Sequence, residues 1–292
     1  DVSLNPYRGC EHGCIYCYAR PTHEYLGFSA GLDFETRLLV KTDAPELLRK
    51  KLSSKRWQPQ VLGLSGVTDP YQPIERQTRL TRNCIEVLTE FRNPVDIITK
   101  SALVTRDIDL LEELARHEAV CVTLSITTLD SDLHRVMEPR AAAPSQRLRA
   151  ITRLARAGIP TRVMVAPVIP GLTDHELPAI LAAAAQAGAR YAGYTLIRLP
   201  HVVASLFEAW IERHRPERAA KVLSRIRSIR GGRMNDSSFE SRMRGRGIFA
   251  EQIEQLFRTG TRRSALLQGA PDLSTAAFRV PPGPQLELFP TP

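Results

Sequence analysis

Segments typical of buried strands alternate with segments typical of helices along the first 200 residues. Apolar runs of strand length occur at residues 2–4, 60–65, 95–99, 119–126, 161–168 and 191–197. Helical patterns between them occur at residues 43–53, 81–91, 107–117, 145–157 and 174–187. Strict alternation of this kind indicates right-handed crossovers and a parallel sheet. Six such units form an open, doubly wound sheet or a curved partial barrel, and the pattern alone does not choose between them.

Single residues mark where some of these helices are expected to begin and end. Asp174 is expected to be the N-cap of the helix that follows it. Gly158 and Gly188 come directly after two helical patterns, which is where helices commonly stop.

The chain changes character after Pro200. Helical patterns at residues 205–212, 216–227 and 247–258 predict a helical C-terminal extension placed to cap the α/β domain. The last segment is rich in Pro and Gly and is expected to be extended or poorly ordered. We therefore predict a parallel α/β domain over residues 1–200, a basic helical extension over 201–265 and a Pro/Gly-rich tail over 266–292.

Three of the five cysteines of the chain lie within eight residues, at Cys10, Cys14 and Cys17. Their spacing is C-x3-C-x2-C, with Tyr16 just before the third sulfur. Soft thiolates grouped this closely select zinc, copper(I) or iron–sulfur clusters. Three thiolates with no nearby fourth suit a four-iron cluster with one open iron, which indicates redox chemistry. A zinc site completed by His12 or His23 is the alternative.

The other two cysteines are expected to be buried packing residues. Cys84 lies in a helical pattern and Cys121 in an apolar strand, where cysteine behaves as a small hydrophobic residue. Five cysteines are too sparse, and odd in number, for a disulfide framework, so we predict a reducing, cytoplasmic location. No apolar run is long enough to span a membrane and no signal peptide is visible, although the first residue is not Met.

At the cysteine motif the chain resembles the radical S-adenosylmethionine (SAM) superfamily, whose signature is C-x3-C-x-aromatic-C. Four stretches resemble the branch related to spore photoproduct lyase: NPYRGCEHGCIYCYARPTHEYLG at residues 5–27, TDPYQPIE at 68–75, ITKS at 98–101 and MEPRAAAPSQRL at 137–148. Many members of that branch have no assigned reaction. The resemblance covers roughly residues 1–250 and implies a partial (β/α)6 barrel of the TIM type, a [4Fe-4S] cluster held by the three cysteines, and bound SAM.

Polar residues follow the predicted strands at the end where functional groups of parallel α/β folds gather. They are Thr68 and Asp69 after the second strand, Lys100 after the third, and Ser125 and Thr127 at the end of the fourth. The resemblance implies that the SAM amino group lies near Asp69, its carboxylate near Lys100, its ribose near Ser125, and its adenine beside Tyr16 and residues 166–174.

Each of these residues also has a purely structural interpretation. Asp69 precedes a proline and is suited to start a turn. Lys100 is alternatively a surface lysine, and the Ser125 and Thr127 hydroxyls are alternatively satisfied by backbone carbonyls. Tyr16 is alternatively packing for the cysteine loop.

The resemblance implies a radical SAM enzyme that cleaves SAM reductively to a 5′-deoxyadenosyl radical, which abstracts hydrogen from a substrate. It also implies a flavodoxin- or ferredoxin-like electron donor. The lyase depends on a further cysteine, to which neither Cys84 nor Cys121 aligns, so thymine-dimer repair is not predicted. Alternatives are the same radical chemistry on a protein or small metabolite, and a non-catalytic metal-binding module.

Positive charge is concentrated in one part of the chain. Residues 213–246 hold eleven Lys and Arg against three Asp and Glu, so they carry a net +8 of the chain's +9. Such a block attracts phosphate backbones and makes nucleic acid a possible substrate. The alternatives are a solvated helix face whose arginine stems cover apolar surface, and an anionic small molecule or protein substrate.

Overall fold

The computed structural model describes residues 2–236, 238 and 242–282, and it contains all six predicted strands. A strand pair at residues 7–8 and 39–40 and a seventh sheet strand at 267–268 were not predicted. The strands are β1 (Val2–Leu4), β2 (Tyr7–Arg8), β3 (Leu39–Val40), β4 (Leu62–Leu64), β5 (Val95–Thr99), β6 (Val120–Ser125), β7 (Thr161–Val168), β8 (Tyr191–Leu196) and β9 (Leu267–Gln268).

Seven strands form one parallel sheet in the order β1-β4-β5-β6-β7-β8-β9. Strands β2 and β3 form a small antiparallel pair beside it. In the described part of the chain β1 and β9 are the two edges of the sheet and do not pair, so the barrel is not closed. The predicted fold class, a partial (β/α)6 barrel of the TIM type with a helical C-terminal extension, is confirmed.

Helices connect the strands and continue into the extension. They are α1 (Asp33–Thr36), α2 (Ala44–Leu52), α3 (Glu75–Thr78), α4 (Leu80–Phe91), α5 (Ile108–Ala115), α6 (Ser131–Met137), α7 (Pro144–Arg156), α8 (Leu177–Gln186), α9 (Val202–His214), α10 (Pro216–Ile229) and α11 (Ile248–Arg263). Short 3-10 turns lie at Arg20–Leu26, Ala102–Asp107 and Asp174–Glu176.

The predicted helix boundaries are mostly correct, with one error. Gly158 and Gly188 follow their helices with φ of +74° and +105°. Glycine adopts this left-handed conformation, which ends a helix, without the steric strain that a Cβ causes. The prediction that Asp174 is an N-cap is wrong. Asp174 is the first residue of a 3-10 turn preceded by Thr173, and its carboxylate instead lies 3.4 Å from the Arg225 guanidinium.

The hydrophobic core fills the space between the sheet and its outer helices. Every residue of β6 is buried, and Val122 and Leu124 belong to this core. The opposite face of β6 points into the barrel, where Thr123 accepts a hydrogen bond of 2.8 Å from Arg162 Nε. Cys121 is fully buried beside Asp96, and Cys84 is fully buried in α4, as predicted for packing residues.

The C-terminal segments close around the barrel. Helix α11 packs on α8 so closely that a Cβ on Gly260 would lie 2.7 Å from Leu181. From residue 269 to residue 282 the chain has no regular secondary structure, and the centre of its Phe278 ring lies 6.3 Å from that of the Phe91 ring. Residues 283–292 of the predicted tail lie outside the described residues, and the domain boundaries stay a prediction. In the described ranges no helix is long and apolar enough to cross a membrane.

Candidate functional site

A cavity of about 280 Å³ lies at the carboxyl ends of the strands, where parallel α/β folds place their functional groups. It brings together eight of the nine predicted site residues, contributed by the cysteine loop and by the ends of β4, β5 and β6. These are Cys10, Cys14, Tyr16, Cys17, Thr68, Asp69, Lys100 and Ser125. The ninth, Thr127, lies behind Tyr16, with 3.1 Å between the two hydroxyl oxygens.

The cysteine loop is held in place by buried Arg20, which sequence analysis did not single out. Its guanidinium donates to the Cys14 carbonyl through Nε and Nη2 at 3.1 and 3.0 Å, and it pairs with Glu35 at 2.5 Å. Gly13 has a φ of +66°, and a Cβ there would lie 2.5 Å from the Arg140 guanidinium. The loop therefore has little freedom to move, which keeps the three sulfurs beside the cavity.

All three cysteines of the loop carry free thiols, and only Cys17 is more than slightly exposed. Burial raises the pKa of Cys17 to about 11 and holds the pKa of Cys14 well above its usual value. A metal bound here must displace these protons. Three soft sulfur donors at one end of a cavity fit a cluster in which each thiolate binds a different iron.

A single-ion site was the alternative for this loop. In the described part of the chain, no three His, Cys, Asp or Glu side chains form a group that would hold one metal ion. His12 and His23, the proposed fourth zinc ligands, have other partners. His12 lies against Asp69, and His23 Nε2 lies 2.9 Å from the Arg37 carbonyl oxygen.

Asp69 is held by four donors from neighbouring segments. Its carboxylate accepts hydrogen bonds from the Thr99 hydroxyl at 2.6 Å, the Lys100 amide at 2.7 Å and the Tyr71 amide at 2.9 Å. The fourth is the His12 ring, at 3.4 Å. The Tyr71 bond is the side-chain turn expected of an Asp-Pro sequence. Asp69 thus joins β4, β5 and the cysteine loop, and it also lines the cavity.

His12 and Asp69 form a buried charged pair at the edge of the cysteine loop. Burial opposes charge on the His12 ring, but the carboxylate of Asp69 and the sulfur of Cys10 outweigh it and raise the pKa of His12 to about 10. The same pairing holds the pKa of Asp69 below its usual range in spite of burial. The imidazolium places a positive charge next to the Cys10 sulfur.

Sequence analysis missed Glu138, which is fully buried at the centre of a polar network. It pairs with the buried Arg147 guanidinium and accepts hydrogen bonds from the hydroxyls of Tyr16 and Thr127. Burial opposes ionisation of Glu138, but Arg147 and Lys100 hold its pKa well below the usual range. This network fixes Tyr16 against the end of β6. Glu138 and Arg147 both lie in the stretch 137–148 that carried the resemblance, which was the available signal.

Lys100 reaches across the cavity from the end of β5. Its ammonium lies 3.0 Å from the Ala166 carbonyl oxygen, 3.9 Å from Glu138 Oε1 and 5.7 Å from the centre of the Tyr16 ring. An ammonium has three donors, so Lys100 has donor capacity left for an anion in the cavity. Lys100 is therefore not the freely solvated lysine of the structural alternative.

The hydroxyls of the predicted site differ in how completely they are satisfied. Thr68 donates to the Tyr7 carbonyl at 3.2 Å, and the Thr127 hydroxyl has two acceptors for its one proton, the Ala166 carbonyl oxygen at 2.9 Å and Glu138 Oε1 at 2.8 Å. The Ser125 side chain lines the cavity with only 5% of its surface exposed. Direct contacts of Thr68, Ser125 and Thr127 with SAM stay predictions, although Thr68 and Ser125 both line the cavity.

The open side of the cavity is lined by Arg198, Tyr18 and Met243. The Arg198 guanidinium lies 4.9 Å from the centre of the Tyr18 ring, and the Tyr18 hydroxyl donates to the Gly66 carbonyl at 2.7 Å. In the described residues the buried Arg198 Nε has no hydrogen-bond partner. Burial lowers the pKa of Arg198. A guanidinium with a hydrogen-bond donor to spare and an exposed aromatic ring therefore lie side by side at this opening.

Two arginines of the basic block contact the barrel, and a third joins two helices of the extension. Arg225 lies 3.4 Å from Asp174, Arg227 pairs with Glu208 at 3.0 Å, and buried Arg230 donates to the Ile197 carbonyl at 2.6 Å. All three guanidinium groups therefore have partners within the protein, although the Arg227 side chain is also exposed to solvent. Four residues of the block, 237 and 239–241, lie outside the described residues.

The sequence matches known proteins over most of its length. The profile of the radical SAM superfamily matches residues 4–184. An uncharacterized protein of Mycobacterium tuberculosis is 39% identical over 229 residues, which cover 78% of this chain and 66% of that protein. This chain therefore spans slightly less than two thirds of that relative's length. A protein of Pseudomonas phage M6 named radical SAM Nalpha-GlyT isomerase is 30% identical over 178 residues, 60% of this chain and 35% of the phage protein.

Solved structures share the fold. Spore photoproduct lyase complexed with dinucleoside spore photoproduct superposes with a TM-score of 0.64 at 17% identity, covering 90% of this chain and 74% of the lyase. A double mutant of that lyase with bound AdoMet, which is SAM, and dinucleoside spore photoproduct has a TM-score of 0.58 at 17% identity, over 91% of this chain and 75% of the lyase. At this identity the likeness shows the fold alone.

Proposed function

The chain belongs to the radical SAM superfamily and is therefore a radical SAM enzyme, and we propose that Cys10, Cys14 and Cys17 hold its [4Fe-4S] cluster. Such a cluster supplies one electron, with which bound SAM is cleaved to methionine and a 5′-deoxyadenosyl radical that abstracts hydrogen from a substrate. The observation that carries the proposal is the single cavity that the three thiols share with Asp69, Lys100 and Ser125. The non-catalytic alternative does not agree with membership of this family.

The chain's own residues would bind and orient SAM in that cavity. Lys100 offers its ammonium to the SAM carboxylate, because a charge-assisted hydrogen bond is strong in a site largely shielded from water. Ser125 offers a hydroxyl to the ribose from the wall formed by β6. Asp69 attracts the SAM amino group by its negative charge, and its four existing donors keep that carboxylate in place.

The polar network behind the cavity keeps these groups in position. The Tyr16 hydroxyl donates a hydrogen bond to Glu138. The positive charge of Arg147 lowers the pKa of Glu138 and so favours its ionised form. Cys10 and Cys14 are only 7% and 8% exposed, which limits the access of water to the metal site. Protein groups that position a cofactor and exclude competing reactions are the chain's expected contribution in a cofactor enzyme.

For the substrate, we propose an anionic polymer of the nucleic acid type, with a protein or small metabolite as the alternative. Spore photoproduct lyase has the same fold and was solved with dinucleoside spore photoproduct. On this chain Arg198 and Tyr18 line the cavity opening. The guanidinium can donate hydrogen bonds to a phosphate, and the ring offers a face on which a base stacks. The Met243 carbonyl accepts a hydrogen bond from the Leu196 amide, so the segment after residue 242 lies at the end of β8. Arg244 and Arg246 are exposed in that segment.

Dimer repair is not part of this proposal. In the described residues no cysteine other than those of the loop lines the cavity, since Cys84 is buried in α4 and Cys121 lies beside Asp96 in the barrel interior. A lyase-like hydrogen donor is therefore not among the thiols of the site. The cytoplasmic location predicted from the reduced cysteines is retained as a proposal.

The test of the proposed function is SAM cleavage by purified protein reconstituted anaerobically with iron and sulfide. With dithionite as reductant, we expect methionine and 5′-deoxyadenosine in equal amounts, formed slowly in the absence of substrate. C84A is the control for C10A and C14A, because all three thiols are buried but Cys84 lies outside the cavity. Absence of 5′-deoxyadenosine from protein that contains four irons per chain would contradict the proposal.

The substrate is tested separately by oligonucleotide binding. If Arg198 contacts a phosphate, R198A should bind a single-stranded oligonucleotide more weakly, with a slope of log affinity against log salt reduced by about 0.7. R156A is the control, because Arg156 is exposed in the last turn of α7 and does not line the cavity. An unchanged slope would favour a protein or metabolite substrate.

A further inference from the structure

A second cavity, of about 420 Å³, lies outside the barrel, behind the wall of the SAM site. It is formed by the cysteine loop, the segment after β4, the 3-10 turn after β5 and the first turns of α7. Four arginines line it, namely Arg76, Arg140, Arg149 and Arg153, and no Asp or Glu does. Nothing in the proposed SAM chemistry uses these side chains.

The two cavities share one wall. Buried His12 lines both, and it is two residues from Cys10 in the loop that borders the first cavity. The turn after β4 places Asp69 in the first cavity and Tyr71 in the second. Similarly, Lys100 lines the first cavity, and the next residue, Ser101, lines the second. The second cavity therefore reaches the back of the cysteine loop without opening onto the space proposed for SAM.

The arginines of the second cavity differ in how they are engaged. Arg153 donates to the Thr105 hydroxyl at 2.7 Å, and Arg140 pairs with Glu35 beside the cysteine loop. Arg76 and Arg149 are exposed, and in the described residues neither has a carboxylate partner. Both guanidinium groups are thus available to a partner, and no carboxylate in the lining opposes an approaching anion.

We propose that this cavity, with Arg76 and Arg149 at its rim, is the docking surface for an acidic electron-donor protein that carries a flavin or iron–sulfur centre. The inference rests on the proposed function, because it assumes a cluster at Cys10, Cys14 and Cys17. One electron passes from the reduced donor to the oxidised cluster, so the donor is oxidised and the cluster reduced, and no proton or group is transferred.

The position of the cavity favours a donor over a substrate. A substrate must contact the radical formed from SAM, so it has to enter the first cavity through the opening beside Arg198 and Tyr18. A donor needs only to approach the cluster, and His12, two residues from Cys10 in the cysteine loop, lines the second cavity as well as the first. An unopposed positive surface steers an acidic partner and fixes its orientation, which is how charge complementarity acts in transient complexes. Substrate and donor then bind at the same time without competing.

The test uses the reconstituted protein of residues 1–292 and bacterial flavodoxin as the probe. The affinity of the variant R76E/R149E for flavodoxin at low salt should be lower by about tenfold or more. The dependence of this affinity on salt should also become weaker, because charges at the rim attract the partner over a distance that salt screens. SAM cleavage supported by flavodoxin hydroquinone should fall in parallel, whereas cleavage supported by dithionite should not change. R76K/R149K keeps the charges and should retain both binding and flavodoxin-supported cleavage.

The matched control is R56E/R156E, which reverses two arginines that are also exposed, one of them in α7, but that do not line the second cavity. It should bind flavodoxin like the unchanged protein. Equal flavodoxin binding by R76E/R149E and the unchanged protein would overturn the proposal. So would loss of oligonucleotide binding with flavodoxin binding intact, which would make the cavity a nucleic-acid site. If dithionite supports no SAM cleavage, the proposed function fails, while flavodoxin affinity still tests the docking surface.

Discussion

The cysteine cavity and the basic block of the C-terminal extension use their charged residues in different ways. At the cavity, the buried charges of Asp69 in its wall and Glu138 behind it are each held by several partners. In the block, Arg225 and Arg230 attach the extension to the barrel, and Arg227 joins two helices of the extension. A short motif with fixed spacing therefore predicted cysteines that share one cavity, whereas local charge density did not show which side chains lack partners.

The largest expected effect concerns the cysteines. Replacing Cys10, Cys14 or Cys17 by Ala should abolish iron and sulfide uptake, because a three-thiolate site has no ligand to spare. Iron content and the charge-transfer absorbance of the reconstituted protein measure this. C84A and C121A should retain the cluster and lose only packing energy, about 1–3 kcal/mol. Zinc in place of iron in the unchanged protein would contradict the comparison at its first step.

The buried carboxylate behind the cavity comes next. E138Q leaves the Arg147 guanidinium without its anion in a site where both side chains are about 1% exposed or less, and it should destabilise the protein by about 3–5 kcal/mol. Urea unfolding of the metal-free protein measures this. E212Q, which changes an exposed carboxylate in α9, should cost about 0.5 kcal/mol or less. Equal stability of the two variants would mean that the network does not support the cavity.

The same pair predicts a pH dependence of stability. The folded pKa of Glu138 is depressed, so its ionisation contributes stability that is fully present above the unfolded value, about 4.3. That contribution is lost as the pH falls from there toward the folded value. The stability difference between the unchanged protein and E138Q should therefore shrink below about pH 4. A difference that grows on acidification would show that Glu138 is protonated in the folded protein.

A smaller effect is expected at Lys100. K100A should weaken SAM binding by about 1.5–3 kcal/mol, because it removes a charge-assisted hydrogen bond. Equilibrium binding of SAM to the reconstituted protein under anaerobic conditions measures this. K41A is the control, because Lys41 also donates to a backbone carbonyl, at 2.8 Å from Asn5 O, and does not line the cavity. SAM binding by K100A at normal strength would show that the lysine is structural.

The smallest effects test the basic block. R230A should destabilise the protein by about 1–3 kcal/mol, because it leaves buried carbonyls without a donor. R227A should cost about 0–1 kcal/mol, since its pair with Glu208 is solvent-exposed. Thermal unfolding of the two variants measures the contrast. If R227A instead abolished oligonucleotide binding without affecting stability, the block would be a nucleic-acid interface after all.

The sequence predicted the barrel strands because buried parallel strands leave continuous apolar runs that periodicity detects. It missed β9, since two residues, Leu267 and Gln268, are too few to show any period. The partial barrel could not be told from an open sheet by pattern, and only the resemblance favoured it. Asp174 was misassigned because an acidic residue before a helix is equally suited to an ion pair, here with Arg225 from a distant helix.

The candidate site was predictable where its residues follow strands and not where they are joined by long-range contacts. Lys100 and Ser125 were found because strand ends converge at one edge of a parallel sheet. Glu138 and Arg147 were missed because their importance comes from pairing with each other and with Tyr16, a contact across 122 residues of sequence. Likewise, the second cavity combines arginines from separate segments of the chain, so no local sequence pattern predicts it.

The central claim is that one cavity holds the cluster and SAM in contact. The most direct measurement is electron paramagnetic resonance of the dithionite-reduced, reconstituted protein with SAM labelled with nitrogen-15 in its amino group and carbon-13 in its carboxyl group. The account predicts that SAM changes the cluster signal and that both labels show hyperfine coupling to it. A cluster signal that SAM leaves unchanged, in protein shown to bind SAM, would contradict the account.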